Sequence, residues 1–139
     1  MRNIAEGVKP YQLIAPIAMT ATVTGSGVAV TPGQEFDGVA IVNLGAVAGS
    51  PTTTSAIVTI EASATSGGTY TVLSTFVAAT AGAQVGTKQV SFNGEVPYAF
   101  IRAKVTIVFS GGSTPSIVCG VTLLQRQTVK SASNLVALA

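Results

Sequence analysis

Chemistry needs acids, bases, nucleophiles or metal ligands, and the chain offers few of each. Its carboxylates are Glu6, Glu35, Asp37, Glu61 and Glu95, it has no histidine, and Cys119 is its single cysteine. Glu35 and Asp37 stand two apart and share a face if the segment is a strand, the arrangement a glycosidase would need to build across a cleft. The same spacing is ordinary at a solvated strand start, and that reading is preferred. Cys119 sits in an apolar series with no histidine to activate it, so it reads as a small core hydrophobe rather than a nucleophile. Imidazole or paired-thiolate metal sites are excluded by composition. The glycine-rich stretches Gly25-Ser26-Gly27 and Ser110-Gly111-Gly112 lack the Lys-Ser/Thr pair of a phosphate loop and read as turns. The residues thus assign no catalytic group, no metal and no cofactor.

The elements behind these residues follow a period of two. Ile101, Ala103, Val105, Ile107 and Phe109 fall on one side of a strand, with Arg102, Lys104 and Thr106 on the other. Ile117, Cys119, Val121 and Leu123 form a second such series. The intervening SGGSTP at 110–115 has turn chemistry, so the pair is expected to form a hairpin. Further strands are expected at Ile17–Thr24, Phe36–Leu44, Ala56–Ser63, Tyr70–Phe76 and Thr87–Phe92, the last followed by Asn93-Gly94 as a type I′ turn. Loops are expected over Gly45–Thr54 and Ala78–Gly86. Seven or eight short strands about ten residues apart argue an all-β, single-domain antiparallel sandwich or barrel. Extended arms are expected at residues 1–11 and 127–139, flanking a domain at 12–126.

Composition points toward assembly. The 139 residues are 47% hydrophobic and 9% charged, with a net charge of +2, where an ordinary domain is roughly 25% charged. The basic residues are scattered, which argues against direct nucleic-acid binding, and no uncharged run is apolar enough to be a membrane helix. A surface of Thr, Ser, Ala and Gly loses little side-chain entropy on packing, so it suits burial in a permanent assembly. Arg102 and Lys104, side by side, read either as a solvated face or as a rim where another chain docks. On the docking reading, Arg102→Glu weakens assembly more than the fold.

Glu61, Ser63, Gly67, Gly68, Tyr70 and Thr71, then Tyr98, Ile101 and Arg102, then Gly111, Gly112 and Pro115 mark a Glu-x-Ser strand, a glycine turn, an aromatic-Ile-Arg strand and a Gly-Gly-x-x-Pro link. In these the second half of the chain resembles small virion proteins of tailed bacteriophages, departing from them at Ala64-Thr65-Ser66, where the family commonly has an Asp pair. The resemblance implies a jelly-roll-like β-sandwich acting as a head decoration, or cement, protein. It implies a homo-oligomer, as a trimer, on the outer capsid surface, bound to the major capsid protein and made in the host cytoplasm. Arg2, Lys9 and Tyr11 of the N-terminal arm, with Arg102, Lys104 and Arg126, are the candidate capsid or subunit interface. A tail, neck or fibre subunit is the alternative, as is a carbohydrate-binding module using Tyr11, Tyr70 and Tyr98.

Overall fold

A computed structural model describes residues 8–30, 36–80, 86–94 and 99–126. These form nine strands and no helix: β1 (Val8–Met19), β2 (Val23–Thr24), β3 (Val28–Ala29), β4 (Phe36–Ala48), β5 (Thr53–Ser63), β6 (Thr71–Thr80), β7 (Gly86–Gly94), β8 (Phe100–Ser110) and β9 (Ser116–Arg126). One sheet has the order β1-β9-β4-β7 and the other β2-β8-β5-β6, with β3 also paired to β8, and every pairing is antiparallel. Because β2 and β3 pair successive stretches of β8, they act as one interrupted strand. The result is an eight-stranded jelly roll, in which the chain repeatedly crosses between two facing sheets.

Alternation in the sequence decides what the sheets bury. Ile101, Ala103 and Val105 of β8 are fully covered, as are Cys119, Val121 and Leu123 of β9, and they meet Ala56, Val58 and Ile60 of β5 and Ala40, Val42 and Leu44 of β4 between the sheets. The inward and outward positions of β8 and β9 are those the period of two gives.

Several expectations of local structure are corrected. β8 and β9 do not form a hairpin: each lies in a different sheet, and 111–115 carries the chain across the sandwich. Only β5 and β6 are consecutive strands, neither a half of the interrupted one, that pair directly. Asn93-Gly94 is not a turn, because the two residues close the β7 ladder opposite Asp37 and Phe36. The first strand is β1, ending at Met19, rather than a run from Ile17 to Thr24. Pro10 and Pro16 lie inside it, which is tolerable because β1 is an edge strand with no second neighbour to bond among the described residues. Residues 8–11, assigned to an arm, therefore belong to the sheet, whereas residues 1–7 and the tail at 127–139 lie outside the described residues. The loop at 45–54 contracts to Gly49–Thr52, and the expected loop at 78–86 is partly strand, with residues 81–85 outside the description.

Candidate functional site

Polar chemistry concentrates on the outer face of the β2-β8-β5-β6 sheet. Register places Glu61 of β5 directly opposite Arg102 of β8 and Thr59 opposite Lys104. The Arg102 Nε donates to Glu61 Oε2 at 2.8 Å, and the Thr59 hydroxyl donates to Glu61 Oε1 at 3.3 Å. The guanidinium lies 3.8 Å over the centroid of the Tyr70 ring, and the Tyr70 hydroxyl donates to the Ser66 carbonyl at 3.0 Å. Gly27, between β2 and β3, packs against the Tyr70 hydroxyl so closely that a Cβ there would push the ring aside. Glu61 is 7% exposed on a face that otherwise meets solvent, because Arg102, Tyr70 and Thr59 roof it over.

The cluster does the work of a clamp. A bulge in β6, between the Ile60↔Ser74 and Glu61↔Val72 pairs, lies beside the turn that carries Tyr70. Tyr70 then stacks on a cation that β8 supplies and β5 neutralises, so two strands, the β5–β6 turn and the β2–β3 link are tied at one point. A planar guanidinium can bond a carboxylate in its plane while presenting its face to a ring, which an ammonium cannot do. The carboxylate is bonded by the arginine, so the arrangement provides ion pairing and stacking.

The proposed interface residues divide into separate groups. Arg102 is committed within the chain, so the geometry gives a direct reason for Arg102→Glu to weaken the fold, beside the expectation that it weakens assembly more. Lys104 lies two residues on, half-buried between Thr59 and Thr24 in the register. Tyr11, placed in an arm by sequence, is a buried residue of β1 opposite Leu123, and the Lys9 ammonium sits 5.1 Å from its ring centroid. Arg126 pairs with Val8 at the end of β9. Arg2 lies outside the described residues. Of the three tyrosines considered for a sugar platform, Tyr11 is in the core and Tyr70 is covered by Arg102, while Tyr98 lies outside the described residues. Glu61, which sequence reasoning did not single out as a partner for Arg102, is 41 residues away in the chain, and only the β5–β8 register reveals it.

Cys119 is fully buried and unpaired. Burial pushes its thiol up from 9.0 to about 11, because the thiolate would have to form in apolar surroundings. An unfolded chain releases that proton near the ordinary value while the folded chain still holds it, so the unfolded state gains as pH rises through this window. Urea titrations at about pH 8 and about pH 10.5 should therefore show wild type losing on the order of 2 kcal/mol more than Cys119→Ala. Equal losses in both proteins would exclude a buried, protonated thiol.

Among the described residues no three or more His, Cys, Asp or Glu lie together as metal ligands, and no helix is long and apolar enough to cross a membrane. Fold and site together define a jelly-roll sandwich whose internal ion-pair cluster braces one sheet. The chain is similar in fold to a chain from the structure of infectious bursal disease virus, Gx strain, with a TM-score of 0.50 and 12% identity over 88% of this chain and 32% of that one. A chain from the T13 particle of the same virus aligns with a TM-score of 0.47 and 15% identity over 86% of this chain and 31% of that one. The protein thus spans about a third of the length of the viral chains it matches. No protein-family model and no curated protein matches it.

Proposed function

We propose that the protein is a non-catalytic structural component of a virion, and specifically a decoration protein that binds the outer shell of a tailed-bacteriophage capsid. The observation that carries this reading is the jelly-roll topology, of the kind found in viral capsid, lectin and cupin domains, here built with very little charge. On the surface Ile17, Val72, Val108 and Val118 stand 42–61% exposed. Such a surface loses little side-chain freedom when covered. Made in the host cytoplasm, the protein would act after assembly by bridging neighbouring copies of the major capsid protein. Summed over many copies, individually weak contacts become effectively permanent.

Within this reading Lys9, Lys104 and Arg126 are the cations that meet the shell, whereas Arg102 and Tyr11 act inside the fold. Purified protein mixed with expanded, undecorated capsids should co-sediment with them and reach a fixed stoichiometry per shell. Failure to saturate, or no binding at all, would overturn the assignment.

A further inference from the structure

The outer faces of the two sheets differ in kind. On the β2-β8-β5-β6 sheet, register brings Glu61, Arg102 and Lys104 together on the outward side. The other sheet holds no charged residue over 10–19, 38–48 and 116–125, which make up most of β1, β4 and β9. Ala40, Val42 and Leu44 of β4 and Val121 and Leu123 of β9 are committed to the core, so their alternate neighbours Val39, Ile41 and Leu124, each half-buried, form the outer face. Register sets Pro10, Leu124 and Val39 in one row across β1, β9 and β4. Toward the other end Val118 stands 42% exposed, beside Ala18 in the register, and Ile17 stands 55% exposed at the β1 edge. Between these ends Pro16 lies so close over Gly120 that a Cβ there would be 2.9 Å from its ring, which levels the middle of the face. The polar members, among them Gln12 and Thr122, are uncharged. An antiparallel sheet with one solvated face alternates apolar-in with polar-out. This one is largely apolar on both sides, the pattern of a sheet covered twice.

We propose that the outer face of the β1-β9-β4-β7 sheet is an interface between two copies of the chain, packed face to face about a two-fold axis. Charge and area select a second copy as the occupant. A two-fold interface sets a surface against itself, which a face bearing Arg102 and Lys104 resists and an uncharged one does not. Each residue of a sheet presents about 16 Å² of face, from a rise of about 3.4 Å and a strand spacing of about 4.8 Å. Strands of 12, 11, 13 and 9 residues therefore present roughly 700 Å² per copy, or about 1,400 Å² over both, inside the range of stable interfaces. The packing is that of the sandwich core repeated, two sheets about 10 Å apart with their apolar side chains interdigitated. It leaves the Lys104 face of each copy turned outward. The inference does not depend on a virion role, and it differs from the three-fold assembly that the resemblance implies.

Light scattering over about a hundredfold dilution should show a species of two chains that dissociates reversibly. Val118→Lys should raise the dissociation constant about a hundredfold or more, because it sets an ammonium against an apolar face in each copy. Val108→Lys is the matched control: Val108 is 61% exposed on β8, in the other sheet, and the change should leave the dissociation constant as it is. Methyl NMR of the wild type with a soluble paramagnetic probe provides a second readout that needs no substitution. The Val118 and Leu124 methyls should be shielded from the probe at high concentration and lose that shielding on dilution, while the Val108 methyls stay accessible throughout. A wild-type mass other than two chains, a dimer indifferent to Val118→Lys or equally weakened by Val108→Lys, or Val118 methyls accessible at every concentration would each overturn the inference. None of these results depends on capsid binding, so the two readings fail separately.

Discussion

Arg102→Glu should lower the melting temperature by roughly 12 °C, corresponding to about 3 kcal/mol for a chain of this length. The Glu61 side chain is 10% exposed and that of Arg102 28%, so the pair sits between a surface bridge and a fully buried one. Surface pairs contribute little, but removing one member of a covered pair leaves the other charge desolvated without compensation. Glutamate does worse than leave Glu61 alone, because it sets two carboxylates opposite each other in adjacent strands. The Tyr70 stack goes with it, freeing the ring that rests against Gly27. Arg102→Lys should lose about half as much, since it keeps the charge but not the in-plane bond together with the stack. The double variant Glu61→Gln/Arg102→Met should fall within about 1 kcal/mol of wild type, because no unpaired charge remains. Thermal melts of the three variants check this. A loss for Arg102→Glu no larger than that of a surface substitution would show that the cluster braces nothing.

That cluster also marks where the sequence stops being legible. Glu61, Tyr70 and Arg102 can each be picked out on local grounds, as a strand acid, a turn aromatic and an outward-facing cation. Their meeting depends on β5 pairing with β8 in one register, and pairing is a property of the whole sheet. The same limit explains the turns. SGGSTP is good turn chemistry whether the next strand stays in its sheet or crosses to the other, and the choice is made by which partner strand lies open. Asn93-Gly94 has a hairpin sequence, yet its backbone bonds go to β4, where Phe36 and Asp37 wait in the ladder. By contrast, the faces of β8 and β9 are read correctly from period alone, because alternation is local and burial follows it. The β1 prolines become legible only with the topology: they forbid a central strand, and the pairing shows that this one is at the edge.

What holds the crossings in place is tested most directly at Gly112, where Gly112→Ala should cost about 3 kcal/mol. The β4–β5 and β8–β9 links interlock at one end of the sandwich. Ser113 N donates to the Gly49 carbonyl at 2.9 Å, and Thr52 N donates to the Ser110 carbonyl at 2.7 Å. Gly49, Gly111 and Gly112 have φ of 80°, 70° and 82°, and Ser50 and Thr114 follow at 47° and 46°. Any side chain at Gly112 pays about 1–2 kcal/mol for that left-handed backbone. Its Cβ would also lie 2.5 Å from the Gly49 carbonyl oxygen and 2.9 Å from Pro51 backbone atoms. These are main-chain atoms held by a proline, so they cannot swing aside, and the two links must separate and forfeit their bonds. Gly67→Ala is the matched control: it lies in the β5–β6 turn with nothing within 4 Å of its Cβ position, and should stay within about 0.5 kcal/mol of wild type. Equal unfolding midpoints for the two variants would mean the interlock is incidental. A large difference would mean that each β8-to-β9 and β4-to-β5 crossing is fixed by its neighbour, so that the two faces of the jelly roll are held in register at this end by backbone alone.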